Sequence, residues 1–355
     1  MLTLVTGATG FLGRALVREL ADRGAALRVL TRDPERATRE CPGAAEYVPG
    51  DLADPESLGR AVQGARHVFH LATSTQGPWE QYERETVHGS AHLARAAAAA
   101  GVERFLYVSS IWVVDLFGGH DVIDERTPYR TQHLNRYIRS KLLAEQAVLA
   151  VARETSLPLV VARPGRLFGP GSPELLSPGF RLGSRVVLTG WRDTPSPTIF
   201  LQHAVEALCL LMERGEPGGI YHLVDDQPVR RHAYLRLLRR HYNPRLLPVR
   251  VPAVCVGAAI SALRLCGRLH PTLAELARYA ERSAERVSGG REIRFSNQRL
   301  RALGWRQSSP TELNLLRTIR SFDNNREGDT PSPAIPGAES PAGPDSPPEG
   351  VTNAI

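Results

Sequence analysis

Lysine is almost missing from this chain. Of its 44 lysine and arginine residues one is a lysine, Lys141, and every other fixed cation is an arginine. Cysteine is scarce too. Cys41, Cys209, Cys255 and Cys266 stand far apart and form no C-x-x-C pair, which excludes a disulfide scaffold and a zinc ribbon and suits reduced thiols in a cytoplasmic protein. Long apolar runs are absent as well. The longest, "PAVCVGAAISAL" at 252–263, stops at Arg264 and is too short to span a bilayer. It is expected to be a buried helix, with peripheral membrane contact through 252–263 left open. The first β-type pattern begins at Leu2, which leaves no room for a signal peptide. No internal repeat is visible.

What the chain does have is the composition of a packed globular protein. Its 355 residues are 42% hydrophobic and 23% charged, enough for one large domain or two modest ones. The net charge is +7 overall, and −5 beyond Phe322 leaves +12 on residues 1–321. Such a balance attracts anionic ligands. The arginines are scattered, however, apart from "RRHAYLRLLRR" at 230–240, and no recognition module accompanies them, so no nucleic acid is expected as a partner.

Short apolar runs alternate with helical patterns through the first half. "LTLVT" (2–6), "LRVLT" (27–31), "AEYVP" (45–49), "HVFHL" (67–71), "RFLYVS" (104–109) and "PLVVA" (158–162) have the pattern of buried parallel strands. Helices are expected at 11–23, 55–63, 79–100 and 134–155, the second opened by Asp54 as N-cap and Pro55 at the first helical position. This order implies an α/β fold: a doubly wound parallel sheet of the Rossmann type with right-handed crossovers, over residues 1–163. Past "RPGRLFGPG" (163–171) the alternation stops, and residues 164–321 are expected to form a smaller substrate-binding lobe interleaved with the last strands of the sheet. Its strand is expected at 218–225 and its helices at 203–214 and 230–241. Residues 322–355 hold seven prolines and little to bury, the composition of a disordered tail.

"VTGATGFLG" at 5–13 lies between the first strand and the first helix. Gly7 permits the tight turn, Gly10 lets backbone N–H groups approach a pyrophosphate, and Gly13 lets helix and strand pack closely. The positive end of the helix then faces the phosphates. About twenty residues on, the second strand ends at "LTRDP", where the adenosine ribose of a dinucleotide is read. Arg32 comes first and favours the 2′-phosphate of NADP; Asp33, next to it, would favour NAD if the loop turned by one residue.

The single lysine lies four residues after Tyr137, in "NRYIRSK". On a helix the two share a face, one turn apart. A phenol is a poor base at neutral pH, and an adjacent ammonium lowers its pKa. A compact ammonium can also donate to ribose hydroxyls beside the phenol, where the rigid fork of a guanidinium does not fit as well. Arginine therefore would not replace this lysine.

The G-x-x-G-x-x-G spacing at Gly7, Gly10 and Gly13 together with Tyr137-x-x-x-Lys141 resembles the extended short-chain dehydrogenase/reductase family. The likeness covers residues 1–315, tightly to 171 and loosely beyond, where "YHLVDDQPV" (221–229) and "RLRALGW" (299–305) are similar to recurrent segments of the family. It implies a catalytic set of Ser110, Tyr137 and Lys141. Ser110, second of the serine pair that ends "RFLYVSS", would orient the reacting oxygen while Tyr137 moves its proton. For the cofactor the resemblance implies Gly7, Gly10, Phe11, Leu12 and Gly13 in the loop, and Asp51 and Leu52 beside the adenine. It adds Leu71 and Ala72 along the cofactor, with His70 expected to be a hydrogen-bonded strand-end histidine. Pro164 of "ARPGRLFGPG" would lie near the nicotinamide. No metal site is expected. One family feature is missing: the acid expected before the helix at 203 is replaced by Gln202 and His203.

Within the family, 4,6-dehydratases follow the active-site hydroxyl with an Asp-Glu pair. Ile111 and Trp112 stand there instead and cannot transfer protons. "SSIWV" is more similar to the 3β-hydroxysteroid dehydrogenase and dihydroflavonol reductase branches. The expected activity is therefore NAD(P)-dependent interconversion of a ketone and a secondary alcohol on a small apolar substrate, sterol-, terpenoid- or flavonoid-like. A nucleotide-sugar epimerase remains an alternative, with Arg166, Arg181, Arg185 and Arg192 placed to clamp a diphosphate. A non-catalytic NAD(P)-sensing protein is a third. A homodimer is an allowed state.

Overall fold

The computed structural model describes residues 1–116, 118–132, 134–173, 175–176, 180–182, 185–189, 195–251 and 293–324. Its centre is a seven-stranded parallel sheet. The first half contributes β1 (Leu2–Thr6), β2 (Ala26–Thr31), β3 (Glu46–Pro49), β4 (Ala65–His70) and β5 (Arg104–Val108). After the short β6 (Val122–Ile123) come β7 (Leu159–Pro164) and, further along the chain, β13 (Ile220–Leu223). The spatial order is β13-β7-β5-β4-β1-β2-β3, so the chain reverses its direction of travel between β1 and β4. A crevice for a ligand lies outside the carboxyl ends of the strands at such a reversal.

Helices cover both faces, and the pleat assigns alternate residues to each. Val5, Phe69, Leu106 and Val160 pack with Leu16, Val17 and Leu20 of α1 (Phe11–Asp22) and with Ala204, Leu208 and Leu211 of α7 (Leu201–Arg214). Leu4, Val68, Phe105 and Val161 face the other way, onto α3 (Pro55–Val62), α5 (Gly89–Ala99) and α6 (Arg136–Thr155). Being covered on both sides is why these strands are continuous apolar runs. α7 and β13, both from beyond residue 164, complete this three-layer unit.

Two local features depart from the sequence pattern. The helix expected at 79–100 opens with α4 (Trp79–Gln81) and passes through a π-helical turn at Tyr82–His88 before α5. Such insertions commonly mark functional positions, and this one packs against α6. In addition, a helix not expected from the pattern, α2 (Pro34–Glu40), follows β2. Asp33 is its N-cap, accepting from the Arg36 amide at 2.9 Å, and Pro34 stands at its first position. That Asp-Pro start is the signal that marks α3.

The remaining strands are short: β8 (Arg166–Phe168) pairs with β12 (Thr198–Phe200), β9 (Phe180–Leu182) with β10 (Arg185–Thr189), and β11 (Pro195–Ser196) with β14 (Val229–Arg230). β15 (Leu247–Val251) joins β10, and β16 (Arg294–Phe295) pairs with β6. A second, smaller core gathers Phe168, Phe200, Tyr234, Leu235, Leu238, Leu315 and Ile319. Three helices of this half, α8 (Arg231–His241), α9 (Gln298–Ala302) and α10 (Thr311–Asn324), are described. α10 continues to Asn324 and packs Phe322 against this core, so ordered structure runs past residue 321, where the composition changes. Residues 325–355 of the tail and the 252–263 segment lie outside the described residues. Among the described residues, no helix is long and apolar enough to cross a membrane, and no cluster of ligating side chains could hold a metal ion.

Candidate active site

The glycine loop leaves β1 at Thr6. Gly7 sits at φ +73°, and a Cβ there would approach the Ala72 amide nitrogen to 2.6 Å, so the turn can be made only by glycine at this packing distance. The Ala72 amide itself donates to Thr6 Oγ1 at 3.3 Å, and Leu71 N donates to Thr6 O at 3.2 Å, which fixes Leu71 and Ala72 beside the loop. A Cβ on Gly13 would collide with Gly7 O and Ala8, the close helix–strand approach expected from the sequence. Gly10 has only Gly7 O near it, at 3.2 Å. It is the N-cap of α1, no side chain caps that helix, and its first turn holds no acid. Phe11 and Leu12 follow directly, so backbone N–H groups at the positive end of α1 stay available to an anion. This arrangement fits a dinucleotide pyrophosphate.

Just past the end of β2, Arg32 is exposed and makes no hydrogen bond or ion pair among the described residues. Asp33 is engaged as the α2 cap. Asp51 turns its Oδ1 to the Ala53 amide at 2.8 Å, and Leu52 is buried against Gly89. His70 is fully buried, with Nδ1 2.7 Å from Thr6 Oγ1 and Nε2 2.9 Å from Ser90 Oγ. Burial, with the nearby Lys141 charge adding, pushes it down to about 3, so it is neutral at physiological pH.

Ser110 stands where β5 ends, its Oγ accepting from Trp112 N at 3.4 Å to cap a short 3₁₀ turn (Ile111–Val113). Ile111 and Val113 point into a separate buried cluster with Val114, Leu116 and Leu142. Only Trp112 of the pair after Ser110 keeps exposed surface, because the 3₁₀ turn rotates Ile111 inward. Ile111 therefore lines the core.

α6 begins with Asn135, whose side chain accepts from Ile138 N at 2.8 Å, so Tyr137 and Lys141 lie on its first two turns. Lys141 is 2% exposed, and its Nζ donates to Val108 O at 2.8 Å, two residues before Ser110. It also lies 5.3 Å from the centre of the Tyr107 ring. Burial lowers it to about 7, opposed by Glu145. Tyr137 is half-buried, and its phenol is pushed up to about 12 by burial, with Tyr82 of the π-helical turn adding. That is the reverse of the depression expected from the lysine. The ammonium donates to the β5 carbonyl, and desolvation is the larger influence on both groups. Pro164 ends β7, buried and in register with Leu223.

Three further residues of this region went unnoticed in the sequence. Glu145, four residues past Lys141, is fully buried and receives Arg163 Nε and Nη2, the latter at 2.5 Å, and the Tyr129 hydroxyl at 2.8 Å. Breaking such a pair by removing one partner costs about 3–5 kcal/mol. The signal for it was the repeat of the four-residue step from Tyr137 through Lys141 to Glu145, with Arg163 directly before Pro164. Elsewhere, the acid missing before α7 is supplied from the end of β13. Asp225 Oδ2 accepts from Phe200 N at 3.1 Å while Oδ1 lies 2.8 Å from His203 Nδ1. Of the arginines proposed to clamp a diphosphate, Arg192 lies outside the described residues, and Arg181 and Arg185 are placed by backbone alone on antiparallel β9 and β10.

The profile of the NAD dependent epimerase/dehydratase family matches residues 3–223, from β1 to the end of β13. The chain belongs to that family. Within it, the chain is 32% identical over 290 residues to a 2-alkyl-3-oxoalkanoate reductase of Shewanella oneidensis, covering 74% of this chain and 73% of the relative. It is 29% identical over 285 residues to a 3-beta-hydroxysteroid dehydrogenase of Mycolicibacterium neoaurum, covering 75% and 73%. A solved short-chain dehydrogenase/reductase superfamily protein from Agrobacterium tumefaciens, with bound NAD, superposes with a TM-score of 0.69 over 92% of this chain and 98% of its own; at 22% identity it shows the shared fold. Family members named as reductases and dehydrogenases thus match this chain over about three quarters of its length.

Proposed function

We propose that the protein is an NAD(P)-dependent dehydrogenase/reductase that interconverts a ketone and a secondary alcohol on a small, largely apolar substrate, with NADPH as the preferred cofactor. The observation that carries this reading is the seating of the lone lysine. Lys141 is buried under the face of α6 that bears Tyr137 and is anchored to the strand that ends at Ser110. The bare N-terminus of α1 would hold the pyrophosphate. Arg32 would take the 2′-phosphate, because the competing Asp33 carboxylate already caps α2. When bound, the nicotinamide supplies or accepts the hydride. Tyr137 delivers the proton to the carbonyl oxygen in the reducing direction, Ser110 donates a hydrogen bond to that oxygen, and Lys141 stabilises the phenolate left behind. The apolar preference rests on the absence of any acid after Ser110 and on the names of the two relatives, whose substrates are an oxoalkanoate and a steroid.

The test is turnover by purified protein with NADPH or NADH against 2-alkyl-3-oxoalkanoates, 3-oxosteroids and flavonoid ketones, with UDP-glucose as the epimerase arm. Reduction of an apolar ketone is expected. It should vanish in Tyr137→Phe without loss of cofactor binding, and Lys141→Arg should be nearly as inactive. Epimerisation of UDP-glucose with no ketone reduction would overturn the reading, as would near-normal turnover in Lys141→Arg.

A further inference from the structure

Glu145 has no place in the chemistry above, yet it is among the most enclosed charges among the described residues. It sits one helical turn beyond Lys141, as Lys141 sits one turn beyond Tyr137, so the three share one face of α6. Its carboxylate is held from the other side by the Arg163 guanidinium of β7 and the Tyr129 hydroxyl. Arg163 directly precedes Pro164 at the end of that strand. The pair thus joins the helix that carries the phenol and the ammonium to the carboxyl end of β7. A buried ion pair is poor evidence for stability in itself, so its presence here calls for another role.

We propose that Glu145, clamped by Arg163 and Tyr129, is a positioning residue that fixes the Tyr137–Lys141 face of α6 against the end of β7 and supplies the counter-charge for the Lys141 ammonium. This rests on the reading of Lys141 as the active-site cation. Among the described residues, the groups near Lys141 are few. From β5 there is the Tyr107 ring, 5.3 Å away, with the Val108 carbonyl. From β4 there is the neutral His70. On α6 itself there are Tyr137 and Glu145, and behind Glu145 stands Arg163 of β7. Glu145 is the carboxylate among them. It acts on Lys141 against the desolvation that favours loss of the proton. Arg163, by neutralising part of that carboxylate, sets how much of the counter-charge reaches the lysine.

Because the chain has one lysine, the charge state of Lys141 can be read directly. Protein labelled with [13Cε]lysine gives one lysine Cε resonance, whose titration is followed by NMR without cofactor or substrate. In Glu145→Gln the midpoint should fall by about one pH unit, the low end for losing a neighbouring opposite charge. The alkaline limb of the kcat profile should move down with it. Glu145→Asp should restore most of the wild-type midpoint. Glu145→Gln leaves a lone buried guanidinium and threatens the fold, so Glu145→Gln/Arg163→Met, which removes the guanidinium with its partner, is the deciding variant. Its midpoint should also fall. A merely structural pair would loosen the packing when removed, admit water, and raise the midpoint toward that of a solvated lysine. A midpoint in the folded double variant that is unchanged or raised would overturn the proposal. Failure of the functional reading looks different: wild-type protein would then lack ketone turnover while the titration still moved as stated.

Discussion

Three helices start along the same edge of the sheet, and they start in two ways. α2 and α3 each begin Asp-Pro, with Asp33 accepting from Arg36 N and Asp54 from Glu56 N, and each carries a glutamate in its first turn. α1 begins at Gly10 with no side-chain cap and no first-turn acid. The first arrangement satisfies the free amides from within and complements the helix dipole with negative charge. The second leaves amides and dipole to something that arrives from outside. On the proposed function, the second kind of start is the one that takes the anionic ligand. It lies between β1 and β4 at the reversal of the strand order, and the capped ones do not.

The sharpest way to break the comparison is to write the α2 start onto α1. In Gly10→Asp a carboxylate would occupy the place of the pyrophosphate, and affinity for NADPH should fall about 10- to 100-fold, the range for losing hydrogen bonds to a charged group. The melting temperature should hold or rise, because the helix gains a cap. Calorimetric titration beside a thermal melt decides it; unchanged affinity would mean that α1 is not the phosphate site. Of similar size but confined to one cofactor is Arg32→Ala, where NADPH binding should weaken by about 1.5–3 kcal/mol with NADH unaffected. Equal loss of both cofactors would remove Arg32 as a reader of the 2′-phosphate. The smallest effects belong to the capped helices. Asp54→Ala and Asp33→Ala should each lose about 1 kcal/mol in urea unfolding and leave cofactor affinity alone. If Asp33→Ala instead weakened NADH selectively, the aspartate would be a ribose ligand.

The central strands and the helices α1, α3 and α6 were visible in the sequence because both faces of the sheet are covered. The central strands are then apolar runs, and each of these helices shows an apolar stripe. α2 was overlooked although its Asp33-Pro34 start matches the Asp54-Pro55 start that revealed α3. Asp33 is a residue type that serves equally as a ribose ligand and as a helix cap, and only the structure, with its carboxylate on Arg36 N, separates the two. The π-helical turn at Tyr82–His88 left no trace either, since one extra residue in a turn hardly disturbs the apolar periodicity. In the site, Gly7, Gly10, Gly13, Tyr137 and Lys141 could be named from spacing alone. Glu145 could not be assigned a partner, because Arg163 lies 18 residues away on another element.

What the sequence alone determined here is local: the glycine turn, the four-residue step that puts Tyr137 and Lys141 on one helix face, and the alternation that builds a doubly wound sheet. Each follows from backbone geometry within a few residues. What only the tertiary structure decided is the electrostatic state of those groups. Lys141 points at the Val108 carbonyl and sits under the Tyr107 ring, Tyr137 faces Tyr82, and Glu145 is shared between Arg163 and Tyr129. All of these neighbours come from other elements. Desolvation and charge act across space, so the proton affinities of the site are set mainly by which elements the fold packs against α6, with Glu145 the one contributor that lies a helical turn along the same chain segment.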